Sequence, residues 1–417
     1  MTRPAISANT LWFSVGSIMF AVCSILMLMV VSRVSGVQAA GEFGISYAIA
    51  QLLYIVGLFG VNHYQMTDYG KKTGFGNYAL VKVITSLFML LLCGVIILAF
   101  SYSFIRAMQL FLLTVYMMVN SLAELYQSLF FQENKLGLVG RSLFFRSLIS
   151  FAVFATVLYT TNGIITALIA VNFVNIVTLG LFTILPSRGF LNKSDFGFSR
   201  SSCRLLLKEC LPLCVSLFMM AIMVNSAKYV IDFMGDGIMQ GYFNIVFVPV
   251  QVIHLFSSFV FKPQLIRYSG YVEKLDNSSF YKLFFKQIAI IAGLTVTGAV
   301  LGGFLGPAVL GFVFSADLTA YRFAIVLIII GGGAFAVSVL LYYLLIIFRE
   351  QKKILFCYFC CSIISLLLGY IMISSFEIAG AAMSFILSYV LLTVLFVVVM
   401  LRSFKARRAE DMTEDRV

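Results

Sequence analysis

The sequence predicts an all-α integral membrane protein of twelve transmembrane helices, arranged in two six-helix lobes with both termini in the cytoplasm. Three observations support this prediction. The chain of 417 residues is 61% hydrophobic and 11% charged, whereas soluble domains carry about a quarter charged residues. Its apolar runs are long enough to cross a bilayer. A weak internal repeat relates the two halves of the chain.

The predicted spans follow from the apolar runs, because a helix of roughly 20 apolar residues crosses the hydrocarbon core. The first run has no small-residue cleavage site before the next charge, which indicates a transmembrane helix rather than a signal peptide. The charge-free run 147–186 is roughly twice one span, so it must fold back, and Thr-Thr-Asn-Gly (160–163) supplies the turn. The predicted spans are 9–31, 43–61, 82–104, 107–130, 144–160, 164–185, 210–232, 242–261, 287–314, 322–348, 354–374 and 378–401.

The distribution of basic residues predicts the orientation. With the N-terminus inside, the 29 Lys and Arg residues fall in cytoplasmic loops, tails or inner helix ends, apart from Arg33, Arg106, Arg322 and Lys228. Such an excess of Lys and Arg on the cytoplasmic side is typical of membrane proteins. The net charge of +12 is therefore explained by topology, and no nucleic-acid partner is predicted.

The internal repeat predicts how the spans are grouped. A shift of 200 residues aligns GEFGISYAIAQ (41–51) with GYFNIVFVPVQ (241–251), each at the start of the second helix of its half. Six helices per half make this a parallel repeat about an axis normal to the bilayer, which favours a cavity between the lobes and alternating access. The predicted regions are an N-terminal lobe 1–186, a basic cytoplasmic linker 187–209, a C-terminal lobe 210–401 and a cytoplasmic tail 402–417.

The stretch MVNSAKYVIDFM (223–234) places Asn225, Lys228 and Asp232 at spacings of three and four, so they share one helix face. A charge inside a span costs roughly 3 kcal/mol or more, and a lysine there requires a reason. Two interpretations remain open. Lys228 pairs with Asp232 or extends to the interface, or it lines a cavity and contacts a substrate.

Two other polar residues within spans are candidates for coupling or gating. Glu124 is a lone carboxylate that must find a cationic partner or hold its proton. His254, in the middle of its span, forms either an interhelical hydrogen bond or part of a proton relay. Asp232 joins them as the third candidate. The polar face around Glu124 consists of Tyr116, Asn120, Glu124 and Gln127.

Other sequence features argue against cofactor and metal chemistry. The CYFCC stretch (357–361) has no nearby His or carboxylate, so its cysteines are predicted to be small buried hydrophobes. No phosphate-binding G-x-x-x-x-G-K-[ST] loop occurs. We therefore predict no metal, no cofactor and no direct use of ATP. The three glycines 331–333 in the tenth span allow either close packing or a bending point.

Several segments resemble a known family of bacterial transporters. NHYQMTDYGKKTGFGNY (62–78) is similar to the Tyr-Gln-x-x-Asp signature of polysaccharide repeat-unit flippases. ELYQSLFFQENKLGLVGRSLFFR (124–146) resembles the stretch that follows helix four in those proteins, and residues 32–44 and GYFN (241–244) also fit. These proteins form the O-antigen and capsule branch of the multidrug/oligosaccharidyl-lipid/polysaccharide (MOP) exporter superfamily.

The resemblance implies a substrate, a location and partners. The substrate would be an undecaprenyl-pyrophosphate-linked oligosaccharide unit, moved from the inner to the outer leaflet of the bacterial inner membrane. Fixed cations in the protein would lower the energy barrier that such an anion meets when it crosses the low-dielectric membrane. Arg33 and Lys228, near the outer ends of their helices, are candidates for substrate contact. Lys82 and Arg146 would bind the headgroup at the inner mouth of the cavity. Asn225 lies on the same helix face as Lys228. A polysaccharide polymerase and a chain-length regulator would be the protein partners.

Three alternatives remain. A multidrug antiporter of the same superfamily and a peptidoglycan-precursor flippase would have the same architecture. A polysaccharide polymerase or ligase is an enzyme of similar size, but it would be expected to carry catalytic groups on a sizeable outer loop. The predicted outer loops are short, and the first, 32–42, holds only Arg33 and Glu42 as charged residues.

The predicted orientation can be tested by cysteine labelling. In a chain without its native cysteines, Asp236→Cys should react with an impermeant thiol reagent added outside the cell. Ser194→Cys should react only after the membrane is permeabilised, because residue 194 lies in the basic cytoplasmic linker. The reverse labelling pattern would show that the orientation is wrong.

Overall fold

The computed structural model describes residues 8–68, 73–191, 193–261, 264–273 and 276–414, and the regular structure in this part of the chain is helical. The helices are α1 (Ala8–Leu58), α2 (Val61–Thr67), α3 (Phe75–Ala99), α4 (Phe104–Gln132), α5 (Leu136–Thr161), α6 (Ile164–Leu179), α7 (Leu185–Ser187), α8 (Arg200–Met234), α9 (Gly237–Val246), α10 (Val248–Phe261), α11 (Leu265–Glu273), α12 (Asn277–Phe314), α13 (Arg322–Ile347) and α14 (Gln351–Glu414).

Helix α1 is a hairpin of two helices joined at one residue. The backbone leaves helical geometry at Gly36, with φ 86° and ψ 174°, a conformation that glycine adopts readily. Cys23 Sγ lies 3.6 Å from the Ser147 carbonyl oxygen of α5, and the Phe43 ring lies 5.6 Å from that of Phe154 on the same helix. In straight helices Cys23 and Phe43 would be about 30 Å apart, but Ser147 and Phe154 only about 10 Å. The chain therefore reverses at Gly36. The predicted outer loop 32–42 is shorter than expected, because helical structure continues on both sides of this single residue.

Helix α14 reverses in the same way at Glu377, which has φ 50° and ψ −129°. The ring centroids of Tyr358 and Phe396 lie 5.4 Å apart across the hairpin, and the Ser403 hydroxyl donates to Glu350 Oε1 at 2.6 Å. Gly380 packs against the carbonyl of Met372 beside the turn, where a larger residue would not fit. Two antiparallel helices therefore occupy this stretch, as the predicted spans 354–374 and 378–401 require.

Ten helical stretches among the described residues are long and apolar enough to cross a membrane. Two of them contain the α1 and α14 hairpins, so two spans in each would give the twelve spans that the sequence predicts. The count of twelve and the cytoplasmic location of the termini stay predictions. The turn at 160–163 lies where the sequence places it, since α5 ends at Thr161 and α6 begins at Ile164.

The chain forms two compact units, unit 1 up to Phe218 and unit 2 from Met219. Their boundary lies within α8, which begins at Arg200, so the last ten residues of the predicted linker 187–209 are helical. The predicted lobe boundaries stay a prediction.

Unit 1 depends on a close crossing of α1 and α5. Gly16 packs against the backbone of Gly140, and Gly140 packs against the backbone of Trp12 and Phe13, where an added methyl group would clash. The Trp12 ring then contacts Phe144, with centroids 5.9 Å apart. Small residues at such a crossing let two backbones approach closely and gain van der Waals contact.

In unit 2, the three glycines of α13 each make room for a different neighbour. Gly331 faces Phe385 of α14, Gly332 faces Ile253 of α10, and Gly333 faces Thr295 of α12. Helix α13 runs through this stretch with its helical hydrogen bonding intact. Of the two interpretations of residues 331–333, the structure therefore supports close packing.

The α1–α5 crossing generates a test of the fold. Gly140→Ala should lower the apparent melting temperature of the purified protein, because the added methyl group meets the backbone of α1 at a cost of about 1–3 kcal/mol. Gly94→Ala in α3 is the matched control, since no atom lies near its added methyl group and alanine favours a helix by about 1 kcal/mol. Equal melting temperatures for both variants would contradict the proposed crossing.

Candidate functional site

Unit 1 brings together three of the predicted site residues, Lys82 of α3, Glu124 of α4 and Arg146 of α5, which we name the charge cluster. Glu124 lies within electrostatic range of both cations. Lys82 and Arg146 are buried, with exposed fractions of 1% and 4%, while Glu124 is partly exposed. The sequence indicated that the Glu124 carboxylate needs a cationic partner. The structure places two cations near it, Lys82 and Arg146.

Arg146 is held by neutral acceptors on two helices. Its Nη2 donates to Asn120 Oδ1 of α4 at 2.9 Å and to Asn175 Oδ1 of α6 at 2.8 Å. The Asn175 amide in turn donates to the carbonyl of Tyr116 at 3.3 Å. Hydrogen bonds to a charged donor are stronger than those between neutral groups. The guanidinium thereby links α4, α5 and α6, and Asn175 forms the interhelical hydrogen bonds that are typical of polar residues in spans.

Lys82 lies at the point where α1 ends. Helix α1 stops at Leu58 because Phe59 and Gly60 adopt positive φ values of 51° and 73°. Lys82 Nζ lies 3.4 Å from the Leu58 carbonyl oxygen, which is a long hydrogen bond. The Thr85 hydroxyl, one turn further along α3, donates to the Gly57 carbonyl at 3.0 Å. Two side chains of α3 thus cap the carbonyl end of α1.

Glu124 has two further neighbours that the sequence did not single out. The side chains of Asn62, at the start of α2, and Tyr54, near the end of α1, lie near its carboxylate. The break between α1 and α2 at Phe59 and Gly60 positions Asn62 and Tyr54 on either side of it. A polar Asn62 beside a glycine at the end of an apolar run is the sequence signal that could have identified it. His63 follows, and burial together with the Lys82 charge lowers the pKa of His63 below its ordinary value.

The Tyr-Gln-x-x-Asp segment, Tyr64 to Asp68, serves local structure in unit 1. Asp68 Oδ2 accepts hydrogen bonds from the Tyr78 hydroxyl at 2.9 Å and from the Thr73 backbone at 3.1 Å. Gln132 Nε2 donates to the Asp68 carbonyl at 3.0 Å. The segment that carries the family resemblance therefore fixes the ends of α2, α3 and α4 against one another.

Unit 2 places Lys228 against an aromatic ring. Lys228, on α8, is 9% exposed, and its Nζ lies 4.7 Å from the ring centroid of Phe247, the residue between α9 and α10. A desolvated cation over an aromatic face gains about 2 kcal/mol. Asn225 is also buried and donates to the carbonyl of Ala221 in its own helix at 3.2 Å. Phe247 was not identified by sequence reasoning, although the repeat aligns it with Tyr47.

Three predicted site residues remain, namely Arg33, Asp232 and His254. Arg33 is exposed and precedes the Gly36 turn. Asp232 is half-buried, one turn beyond Lys228. The His254 ring stacks on Phe335 of α13, with centroids 4.7 Å apart and planes inclined by 30°. The roles assigned to these residues, and to the charge cluster, stay predictions.

The described part of the chain contains no group of three or more His, Cys, Asp or Glu side chains that could hold a metal ion. The cysteines of the CYFCC stretch are free thiols, of which Cys357 and Cys361 are buried and Cys360 is half-buried.

Comparison with known proteins identifies the fold. No protein-family model matches the chain, and no curated protein matches it by sequence. Solved structures do match. An inward-facing multidrug resistance MATE family transporter of the MOP superfamily has 14% identity and a TM-score of 0.63, with 98% of this chain and 100% of that chain covered. An outward-facing one has 13% identity and a TM-score of 0.61, with 96% and 97% covered.

A third match is a MOP superfamily transporter from Pyrococcus furiosus, described as having a binding pocket of reverse polarity that suggests a different function. It has 12% identity and a TM-score of 0.59, with 96% of this chain and 94% of that chain covered. Identities this low establish the fold alone. The chain has the fold of MOP superfamily transporters over nearly its whole length.

Proposed function

We propose that the protein is an alternating-access transporter that moves an anionic, lipid-linked substrate across the bacterial inner membrane. The observation that carries this proposal is the sign of its buried charge. Among the described residues, the least exposed charged side chains are cations, namely Lys82, Arg146 and Lys228. Glu124 also lies in the interior of unit 1, with some of its surface exposed, so the charge cluster contains two cations and one acid.

The energetic argument concerns the cost of these cations. A buried cation in a span costs roughly 3 kcal/mol or more, and such residues mark substrate or ion pathways. Lys228 gains a cation–π contact and Arg146 gains hydrogen bonds to two neutral amides. Glu124 supplies one negative charge to the two cations of the charge cluster, so the cluster keeps an excess of positive charge. An anionic substrate would balance this excess, and attraction between opposite charges is strong where the dielectric constant is low.

The finer proposal is that the substrate is an undecaprenyl-pyrophosphate-linked oligosaccharide repeat unit, moved from the inner to the outer leaflet for O-antigen or capsule assembly. The resemblance of 62–78 and 124–146 to repeat-unit flippases supports it, and a pyrophosphate matches the buried cations in charge. A polymerase and a chain-length regulator would then act on the delivered unit. The Pyrococcus furiosus protein is a precedent for linking pocket polarity to function within this fold.

Multidrug antiport is the second candidate. The matching structures favour it, because two of them are described as multidrug resistance MATE family transporters. Glu124 is the group that would serve it, since a partly exposed carboxylate within a helix bundle can bind a proton or a cationic drug. The two candidate functions differ in the charge of the substrate, so they predict different phenotypes for a strain from which the gene is deleted.

The function can be tested by deleting the gene in its native host. We expect surface polysaccharide to disappear and the lipid-linked repeat unit to accumulate in the cytoplasmic leaflet, measured by glycan staining and by leaflet-selective labelling of membrane vesicles. Export of a cationic dye such as ethidium should be unchanged. Normal surface glycan in a strain without a second flippase, together with slower dye export, would replace this proposal with multidrug antiport.

The role of Lys228 can be tested by a charge series. Lys228→Arg should retain most of the export, because arginine keeps both the charge and the contact with Phe247. Lys228→Ala should reduce export about tenfold, which corresponds to about 1.4 kcal/mol. Lys208→Ala, an exposed position on the same helix, is the matched control and should be unaffected. Membrane abundance is measured for each variant.

A double variant separates binding from ion pairing. If Lys228 only balances Asp232, replacing both by alanine should restore export, because no unpaired charge remains. If Lys228 binds substrate, removal of its neighbour cannot restore export. Rescue by the double variant would show that the substrate-binding role of Lys228 is wrong.

A further inference from the structure

Arg146 is held in the interior of unit 1 by neutral oxygens. Its Nη2 donates to Asn120 Oδ1 at 2.9 Å and to Asn175 Oδ1 at 2.8 Å. The three side chains are 4%, 6% and 1% exposed, in that order. Buried charges are normally paired, because a directly bonded acid accepts the hydrogen bond and also balances the charge. Here both bonded acceptors are amides, so the residues that hold Arg146 leave its charge unbalanced.

The hydrogen bonding on both sides of the Arg146–Asn120 contact is incomplete. Arg146 Nε and Asn120 Nδ2 are buried atoms without a hydrogen-bond partner among the described residues, and such atoms cost stability. Both are donors, and neither offers a lone pair to a cation. Asn175 differs, since its Nδ2 donates to the Tyr116 carbonyl oxygen at 3.3 Å. Only at Asn120 is half of the amide group left unused by the fold.

An aspartate at position 120 would suit this contact better in terms of stability. It has nearly the shape of asparagine and would replace the unpartnered nitrogen by an acceptor oxygen. Its bond to Arg146 would join opposite charges, and such bonds are roughly twice as strong as those between neutral groups. Glu124 lies one turn along the same face of α4 and would repel the new carboxylate. The guanidinium is in direct contact, so its attraction outweighs that repulsion.

The amide at position 120 keeps the charge cluster positive. Lys82 and Arg146 carry two positive charges and Glu124 carries one negative charge, which leaves a sum of +1. An aspartate at position 120 would bring this sum to zero. In a low-dielectric interior the field of a net charge acts over several ångströms, so it can attract an anion without touching it. Stability therefore favours an acid at this position, and attraction of an anion favours the amide that the chain has.

We propose that Asn120 is a specificity-determining residue, whose neutral amide holds Arg146 in place and leaves its positive charge available to an anionic group of the substrate. The two unpartnered donors fit an oxyanion, such as a phosphate, which only accepts hydrogen bonds. This inference rests on the proposed function, because it assigns Asn120 a part in selecting an anionic substrate. It predicts that one change of nearly constant shape, Asn120→Asp, blocks export without weakening the fold.

The test expresses Asn120→Asp and Asn120→Ala in the native host from which the gene is deleted. Asn120→Asp should reduce surface polysaccharide about tenfold at equal membrane abundance, because the protein itself then balances the Arg146 charge. Asn120→Ala should reduce it less, because Arg146 keeps its charge and its bond to Asn175. The melting temperatures of the purified variants should follow the opposite order, with Asn120→Asp at or above the wild type and Asn120→Ala below it. A merely structural role would make export follow stability.

Asn134→Asp is the matched control. It makes the same chemical change at an exposed residue between α4 and α5, where the positive φ of 56° is one that aspartate tolerates. Export by this variant should equal that of the wild type. A loss of export as large as that of Asn120→Asp would show that any added acid has the effect, and the role of Asn120 would be wrong.

Three other results would overturn the inference. They are full export by Asn120→Asp, lower export by Asn120→Ala than by Asn120→Asp, and an Asn120→Asp protein that fails to accumulate or melts below Asn120→Ala, since the expected bond to Arg146 would then not form. Failure of the proposed function gives a different result, because the deletion strain itself would keep normal surface polysaccharide. If the deletion strain loses its polysaccharide and Asn120→Asp restores it fully, the proposed function stands and this inference is wrong.

Discussion

The absence of water in the hydrocarbon core is the constraint on which this structure depends. Every backbone polar group inside a span must find a partner within the protein, so helices are continuous and each interruption needs donors or acceptors. Helix α1 is interrupted where Phe59 and Gly60 take positive φ values. Lys82 and Thr85 of α3 supply donors to the freed carbonyls. The break in α1 and the position of Lys82 are therefore linked, because Lys82 donates to a carbonyl that the break leaves without a partner in its own helix.

The same constraint explains the arrangement around Arg146. A guanidinium in a span must satisfy its donors without water, and Asn120 and Asn175 provide acceptors from two neighbouring helices. These bonds tie α4, α5 and α6 together while leaving the positive charge without a directly bound anion. Arg146 Nε has no hydrogen-bond partner among the described residues, so the guanidinium is only partly satisfied by these two amides.

The fold and the site give different kinds of information about function. The fold is that of MOP superfamily transporters, two of which are described as multidrug resistance MATE family transporters. Substrate choice within one fold is decided by the residues that line its sites. In this chain the buried charges of the described residues, Lys82, Arg146 and Lys228, are cationic. We propose that positive charge at these positions favours a lipid-linked anion over a cationic drug.

The sequence by itself determined the features that depend on local composition. Apolar length predicted the spans, the Thr-Thr-Asn-Gly run predicted the turn before Ile164, and helical spacing put Asn225 and Lys228 on one face. Hydrophobic length, turn residues and the 3.6-residue period act over short stretches of chain, so these features can be predicted from local sequence.

Tertiary structure alone decided which distant residues meet. It reduced the predicted loop 32–42 to a reversal at Gly36, placed Phe247 beneath Lys228, and gathered Asn62, Lys82 and Glu124 from three helices. These contacts depend on how helices cross, and the crossings depend on close packing such as that of Gly16 on Gly140, which no local pattern encodes.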